Sequence, residues 1–476
     1  MPRRVSKHGT AFATDITEYP VSTEKTGGLR ALFDVHPDER KIAALMSGYF
    51  FLVITSFWIL KPIKKTFFLG FYDGSNFDVL GRTFSGSEAE QLAKVLNMVV
   101  AIGAVAAFSI LAKRFRRQQL TYVFTAFFIV GYAVFAFALR SQTEIGVWSF
   151  YLFGDLFSTL MVATFFSFMN DSVSSGAAKR LYGLVGFGGV AGGAFGSTAV
   201  AAWINALPVE AWLAIAAAIG VIILVVARAA AAALPADGAS PSPETTEDDS
   251  ATNTPQPDVG NPVLYGARLV MQSRYLLSIV AIVGIYELVS TIVDFQFTQA
   301  IIEFSSDASE RKQNFATVYA TTNWLSMFVQ LFLTSFVMRR FGLATALLVL
   351  PCTIALASVS FLLVPSLIVG GLLSVSDNGF SYSINQSSKE ALYVPTTVEE
   401  KYFAKAFIDM FVQRFAKAIG VGLNLVVAAN FKGVSGIQTL TYFVVPMLAI
   451  WAFASLNAGR QFKALEDESN STAKDT

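Results

Sequence analysis

The sequence predicts an all-α polytopic membrane protein with twelve transmembrane helices in two six-helix halves. Apolar residues make up 54% of the 476 positions and charged residues only 14%, where a soluble domain carries roughly 25% charged residues. Apolar stretches of about 20 residues, the length a helix needs to cross the hydrocarbon core, recur along the whole chain. A polar segment divides them six and six.

In order, residues 1–40 read as a polar cytoplasmic tail without the apolar core of a cleavable leader, with 29–35 a short amphipathic piece. Residues 41–234 form the N-terminal half, with spans near 42–60, 92–112, 120–139, 147–169, 182–206 and 211–234. Residues 235–272 are the linker, rich in Ser, Thr, Pro and acid over 235–262 and expected to be disordered. Residues 273–457 form the C-terminal half, with spans near 275–302, 317–338, 342–364, 366–388, 404–430 and 436–456, and 458–476 are a second polar tail. Loop charge gives orientation. Lys113, Arg114, Arg116, Arg117, Lys179, Arg180, Arg339, Arg340, Lys389 and Lys401 all fall on the side shared by both tails and the linker. That side is the expected cytoplasm, and Lys61, Lys64 and Lys65 are the exception.

Composition excludes several functions. A mean hydropathy of +0.54 and 43 Phe exceed the needs of one core and point to lipid-facing surface. A net charge of +1 gives no argument for nucleic acid. Cys352 is the single cysteine, and His8 and His36 both lie in the tail, so neither a disulfide nor an intramembrane histidine site is available. No cofactor is implied.

The halves echo each other: Asp155 precedes Lys179, Arg180 and Tyr182 at nearly the offset by which Asp377 precedes Glu400, Lys401 and Tyr402. Two parallel six-helix repeats around a central cavity are the major facilitator architecture.

Charge inside the apolar spans marks the candidate site, because an ionised group in hydrocarbon costs several kcal/mol. Lys61, Lys64 and Lys65 continue the first span, and Lys61 and Lys65 share a face. They read either as snorkelling lysines or as an anion site. Asp155 is a binding carboxylate or a rim residue. Glu287 and Asp294, seven apart, bind substrate or tie helices together. Lys405, Asp409, Gln413 and Lys417, each four apart, form a helical stripe that faces a cavity or satisfies itself. Cations and carboxylates converging from both halves suit an anionic substrate with hydrogen-bonding groups, and Trp58, Tyr319 or Trp324 could stack on a base. The glycines at 186, 188, 189, 192, 193 and 196 lack a Walker-type Lys-Ser/Thr and read as a helix-packing face.

The segment KEALYVPTTVEEKYFAKAFIDMFVQRFAKAIG (389–420) resembles the signature of the bacterial and plastidic ATP/ADP translocases, and other motifs match in order. ILKPIKKTFF (59–68) is similar to the family's Leu-Arg-x-x-Lys-Asp-Thr, which places Lys61 at its arginine and Lys64 at its functional lysine. YLFGDLFSTL resembles the Ala-Glu-Leu-Trp segment, with Asp155 at a functional glutamate. STIVDFQF resembles Asn-Leu-Val-Glu-Val, with Asp294 at a second. Lys405 falls on the lysine of Gly-Lys-Ala. The chain departs from the family in having Lys61 for arginine, Lys65 for aspartate, Asp155 and Asp294 for glutamates, and Ala416-Lys417-Ala418-Ile419-Gly420 for Gly-Lys-Ser-Gly-Gly.

The resemblance implies an inner-membrane antiporter rather than an enzyme, multi-pass and expected to be monomeric, exchanging ATP for ADP by alternating access. Lys61, Lys64, Asp155, Asp294 and Lys405 would contact substrate, seconded by Lys65, Glu287, Lys389, Asp409 and Lys417. The alternatives are a carrier of another phosphorylated or anionic metabolite, proton-coupled through Glu287 or Asp294, and a non-transporting scaffold or sensor.

Overall fold

Helix α1 (Arg40–Phe71) runs eleven residues past the expected end of the first span. It carries Lys61, Lys64 and Lys65 inside one continuous spanning helix. Pro62 sits within it, and the Thr66 hydroxyl donates back to the Pro62 carbonyl at 2.8 Å. Because backbone polar groups in lipid must be satisfied within the segment, extending the helix is the cheapest way to bring three lysines into the membrane.

The computed structural model describes residues 39–79, 81–172, 175–233, 262–397 and 399–475. The expectations for the N-terminal tail, for most of the linker and for the side chains of Lys179, Arg180 and Tyr182 fall outside the described residues. After α1 comes a small hairpin, β1 (Phe77–Val79) and β2 (Arg82–Phe84), turning through Gly81 at φ 73°. Its antiparallel register pairs Phe77 with Phe84. The N-terminal half continues through α2 (Gly86–Arg114), α3 (Arg117–Ala138), α4 (Glu144–Ser172), α5 (Ser175–Trp203) and α6 (Val209–Ala232). Glu88 caps the start of α2 by accepting from the Ser85 backbone at 2.7 Å.

The linker ends earlier than 272, because α7 (Pro262–Gln272) is helical. Gly266 lets α7 approach Phe403, where an added Cβ would meet the Phe403 carbonyl at 2.4 Å. Tyr265 donates to Glu399 at 2.7 Å on the same surface. The C-terminal half follows as α8 (Arg274–Phe304), α9 (Ala308–Phe328), a π turn over Val329–Leu333, and α10 (Thr334–Leu363). Next come α11 (Leu367–Phe380), a second π turn (Ser381–Asn385) and α12 (Gln386–Ala391). Two further π turns (Glu400–Ala404 and Ile408–Val412) flank α13 (Lys405–Phe407), and α14 (Gln413–Asn430) and α15 (Gly433–Asp475) complete the half. The tail expected from 458 is thus part of α15.

Ten of the described helical runs are long and apolar enough to cross a membrane. The expected twelve stretches do not appear as twelve separate helices, for two reasons. Two of them lie in one 56-residue run, Ala308–Leu363, broken where Gly342 adopts φ 81° and ψ 173°. At 1.5 Å per residue that run is about 84 Å long, more than twice a hydrocarbon core of about 30 Å. A third stretch is divided by the Ser381–Asn385 π turn into pieces each shorter than a span.

Each half has its own core. One cluster joins buried residues of α1, α3, α4, α5 and α6, among them Tyr49, Phe128, Phe165 and Trp212. The other joins α8, α10, α14 and α15 through residues such as Leu276, Leu350 and Trp451. A smaller cluster of Trp58, Leu69, Phe297, Ile301, Phe315 and Tyr319 bridges the halves through α1, α8 and α9. The glycine face of α5 does pack as expected. Cβ atoms at Gly188, Gly192 and Gly196 would lie 2.3–2.6 Å from carbonyl oxygens of α1.

Hydrogen bonds between the halves gather toward one end of the bundle, the end of the hairpin. Arg311 reaches Asp73 at 3.0 Å, Gln313 donates to the Ala201 carbonyl at 2.8 Å, and Trp324 donates to Thr198 at 3.0 Å. Deeper in, Asn424 donates to Gln91 at 3.2 Å and Arg414 to the Met98 carbonyl at 3.3 Å. Among the described residues no such hydrogen bond joins the halves at the end where α4 finishes and α12 begins.

Candidate functional site

Below that closed end, α1 aims its three lysines in three directions. Lys64 stays within its own half and forms an ion pair with Asp155 of α4. Its ammonium also lies 4.4 Å from the centre of the Tyr151 ring. The helices approach closely here because residue 154 is glycine, and an added Cβ would stand 2.7 Å from Lys64 Cδ. Lys65 faces the other half, 3.4 Å from Asp294 of α8 and 3.2 Å from Glu90 of α2. Lys94 of α2 completes the group, pairing with Asp294 and lying 3.7 Å from Glu90. The Tyr151 hydroxyl donates to Glu90 at 3.0 Å, tying the two pairs into one network.

Lys61 is different. Its Nζ lies 4.5 Å from the Trp58 ring centre, 5.2 Å from Tyr319, 5.7 Å from Tyr382 and 5.9 Å from Phe57. Among the described residues it makes no ion pair within 4.0 Å. Ring faces can hold an ammonium for about 0.5–2 kcal/mol each, so a cage of aromatics substitutes for a carboxylate. The cluster therefore sets four cations (Lys61, Lys64, Lys65, Lys94) against three carboxylates (Glu90, Asp155, Asp294). Lys64 and Lys65 side chains are 6% and 5% exposed, which rules out snorkelling to headgroups.

A family model, the TLC ATP/ADP transporter, matches residues 140–367. ADP,ATP carrier protein 1 of Chlamydia pneumoniae is 23% identical over 508 residues, covering 92% of this chain and 95% of that one. The chloroplastic ADP,ATP carrier protein 1 of Arabidopsis thaliana is 20% identical over 484 residues, covering 88% of this chain and 73% of its own. The chain is a divergent relative of the ATP/ADP transporters. A solved POT family transporter in complex with 5-aminolevulinic acid superposes with TM-score 0.61 at 12% identity, over 87% of this chain and 96% of that one. That likeness concerns the fold, and it agrees with the two-half, major-facilitator-like arrangement. The chain is a transporter by kinship, not an enzyme.

Within this ATP/ADP-transporter relative the motif residues divide. Lys61, Lys64, Lys65, Asp155 and Asp294 come together around the seam between the halves. Lys405 does not join them: it pairs with Glu390 of α12 at 2.6 Å and lies 5.4 Å from the Tyr393 ring, with its side chain 30% exposed. The stripe expected from Lys405 to Lys417 does not face one cavity: the π turn Ile408–Val412 lies within it, and its members take different neighbours. Asp409 accepts from Gln413 at 3.0 Å, while Lys417 turns to Glu287 of α8 at 2.9 Å. Glu287 is thus tied within its own half, and Lys389 is half-buried on α12 and makes no ion pair among the described residues. Trp324 is 53% exposed and engaged with Thr198, away from the cage.

Sequence reasoning missed Glu90 and Lys94. Their charges depress hydropathy at the start of α2, so an apolar run is legible only from 92 and the first turns lie outside it. The available signal was the Glu90–Lys94 spacing of four at the head of an apolar helix.

Proposed function

We propose that this protein is a nucleotide antiporter that exchanges ATP for ADP by alternating access between its two halves. The observation that carries the reading is the lysine–carboxylate network across the seam, with one cation in excess and an aromatic cage beside it. Polyphosphate would draw Lys64, Lys65 and Lys94 from Asp155, Glu90 and Asp294 through charge-assisted hydrogen bonds. Lys61 would follow the charge, and Trp58, Tyr319 and the exposed ring of Tyr382 would be left to stack on a base.

Exchange follows from the same pairs. Lys65 and Lys94 bind Asp294 across the seam, and that contact would hold the hairpin end shut. A bound anion competes for those lysines, frees Asp294 and lowers the cost of opening that end. The empty carrier re-forms the latch and returns slowly, so a loaded return is favoured. Both termini lie in the cytoplasm of a bacterial inner membrane on the loop-charge argument, which makes this conformation inward-facing.

The test is ligand stabilisation of the purified protein. ATP and ADP should each raise the unfolding midpoint, and Lys64→Gln should remove most of that rise. Stabilisation by tripolyphosphate equal to that by ATP, with the same response to Lys64→Gln, would replace nucleotide with a general polyanion substrate. No response to any of the three would overturn the reading.

A further inference from the structure

A fully buried carboxyl group in the C-terminal half belongs to no ion pair among the described residues. Asp377 of α11 is 1% exposed, and its Oδ2 accepts from the Ser290 hydroxyl of α8 at 2.7 Å. Its Oδ1 has no hydrogen-bond partner, and among the described residues no basic nitrogen lies within 4.0 Å. A buried ionised carboxylate with a single hydroxyl donor is strongly disfavoured, so the group needs a cation or a proton.

Its surroundings decide which. Asp377 begins a line of buried polar side chains spaced three or four residues apart: Ser381 at 6%, Asn385 at 5% and Ser388 at 0% exposure. Asn385 Oδ1 and Ser388 Oγ are also unpartnered. The line passes through the Ser381–Asn385 π turn, and five residues beyond Ser388 comes Tyr393, whose hydroxyl is unpartnered as well and whose ring lies 5.4 Å from Lys405 of the surface pair Lys405–Glu390. At 1.5 Å per residue, Asn385 stands about 12 Å along the helix from Asp377. The line cannot wrap one metal ion, but its spacing suits water-bridged proton transfer. The titratable and charged groups facing Asp377 are otherwise engaged. From α8 come Tyr286, Glu287 paired with Lys417, and Asp294 paired with Lys65 and Lys94. From α9 comes Tyr319, from the π turn Tyr382, and from α1 Lys61, held in its ring cage. α10 offers Arg339 and Arg340, both exposed near its break, and the exposed Cys352.

We propose that Asp377 is a proton-binding site that makes transport respond to a proton gradient, with the Ser381–Asn385–Ser388 line as its route to one side of the membrane. The proton bonds to Oδ1 on one side and is released to water on the other, leaving a carboxylate that only Lys61 is free to meet. An anion that engages Lys61 removes that partner, so anion and proton bind together and neutralise part of each other's charge.

The first experiment reconstitutes the full chain in ADP-loaded liposomes and compares ATP uptake with and without an acidic exterior. Uptake should rise several-fold with the gradient and fall back with a protonophore. Asp377→Asn should keep measurable exchange and lose the response. An unresponsive wild type, or an Asp377→Asn variant that still responds, would overturn the proposal. A second measurement does not depend on nucleotide transport. Infrared difference spectra between protonated and deprotonated protein should contain a protonated-carboxyl C=O band that Asp377→Asn removes and Ser290→Ala shifts. A wild-type spectrum without that band would overturn it even if no nucleotide moves, while the band without uptake would condemn only the nucleotide reading.

Discussion

Lys65 of α1 and Asp294 of α8 meet across the seam between the two halves, with Nζ 3.4 Å from Oδ1. Lys94 reaches the same carboxylate from α2, so one acid of the C-terminal half holds two lysines of the other. Removing it leaves two largely buried cations with Glu90 as their remaining partner. Breaking such a pair costs about 3–5 kcal/mol. Asp294→Asn should therefore lower the unfolding midpoint and abolish exchange, whereas Asp294→Glu should recover part of both. Thermal melts and uptake assays on the two variants check this.

The contact between Gly154 and Lys64 gives a subtler test. Alanine at 154 would push against Lys64 Cδ without touching any charge. Gly154→Ala should weaken nucleotide binding about tenfold, or about 1.4 kcal/mol, with little change in the melt. Isothermal titration of ATP into the two proteins reads this directly.

Packing of α5 on α1 predicts an asymmetric glycine scan. A Cβ at Gly192 would lie 2.3 Å from the Phe51 carbonyl, while one at Gly186 meets nothing within 4 Å. Gly192→Ala should destabilise by about 1–3 kcal/mol. Gly186→Ala should leave the melt unchanged or slightly raised, since alanine is the better helix former.

Alternating access requires the hairpin end to open. Gln313 and Ala201 join the halves there at 2.8 Å. With Cys352 replaced by alanine, cysteines at 201 and 313 joined by a short bifunctional thiol reagent should stop exchange, and the uncrosslinked protein should transport. Uptake that survives crosslinking would show that this end does not separate during the cycle.

Geometry also ranks two motif lysines. Lys405 sits with Glu390 on the surface, and pairs of that kind contribute about 0–1 kcal/mol. Lys405→Gln should change equilibrium ATP affinity by less than about threefold, against a much larger loss for Lys64→Gln. Equal losses would place Lys405 in the binding site.

The sequence foretells the spanning helices because lipid imposes one pattern, long apolar runs, on every one of them. It also foretells Lys61, Lys64, Lys65, Asp155 and Asp294, since charge in such a run stands out. Position along a helix was less legible. The regular spacing from Lys405 to Lys417 assumes a uniform α-helix, but a π turn, Ile408–Val412, interrupts it and its members take different neighbours. Glu90 and Lys94 were hidden because charge at the head of a span looks like loop. Partner choice was not legible either: nothing in the spacing of Lys61 indicates that rings, rather than a carboxylate, receive it.

The most direct test of the account is labelled ATP uptake into liposomes holding the reconstituted protein, with and without ADP inside. Nucleotide exchange at the lysine–carboxylate network predicts uptake that needs internal ADP and that Lys64→Gln abolishes. Uptake independent of internal ADP would contradict exchange, and no nucleotide uptake by the folded protein would contradict the substrate.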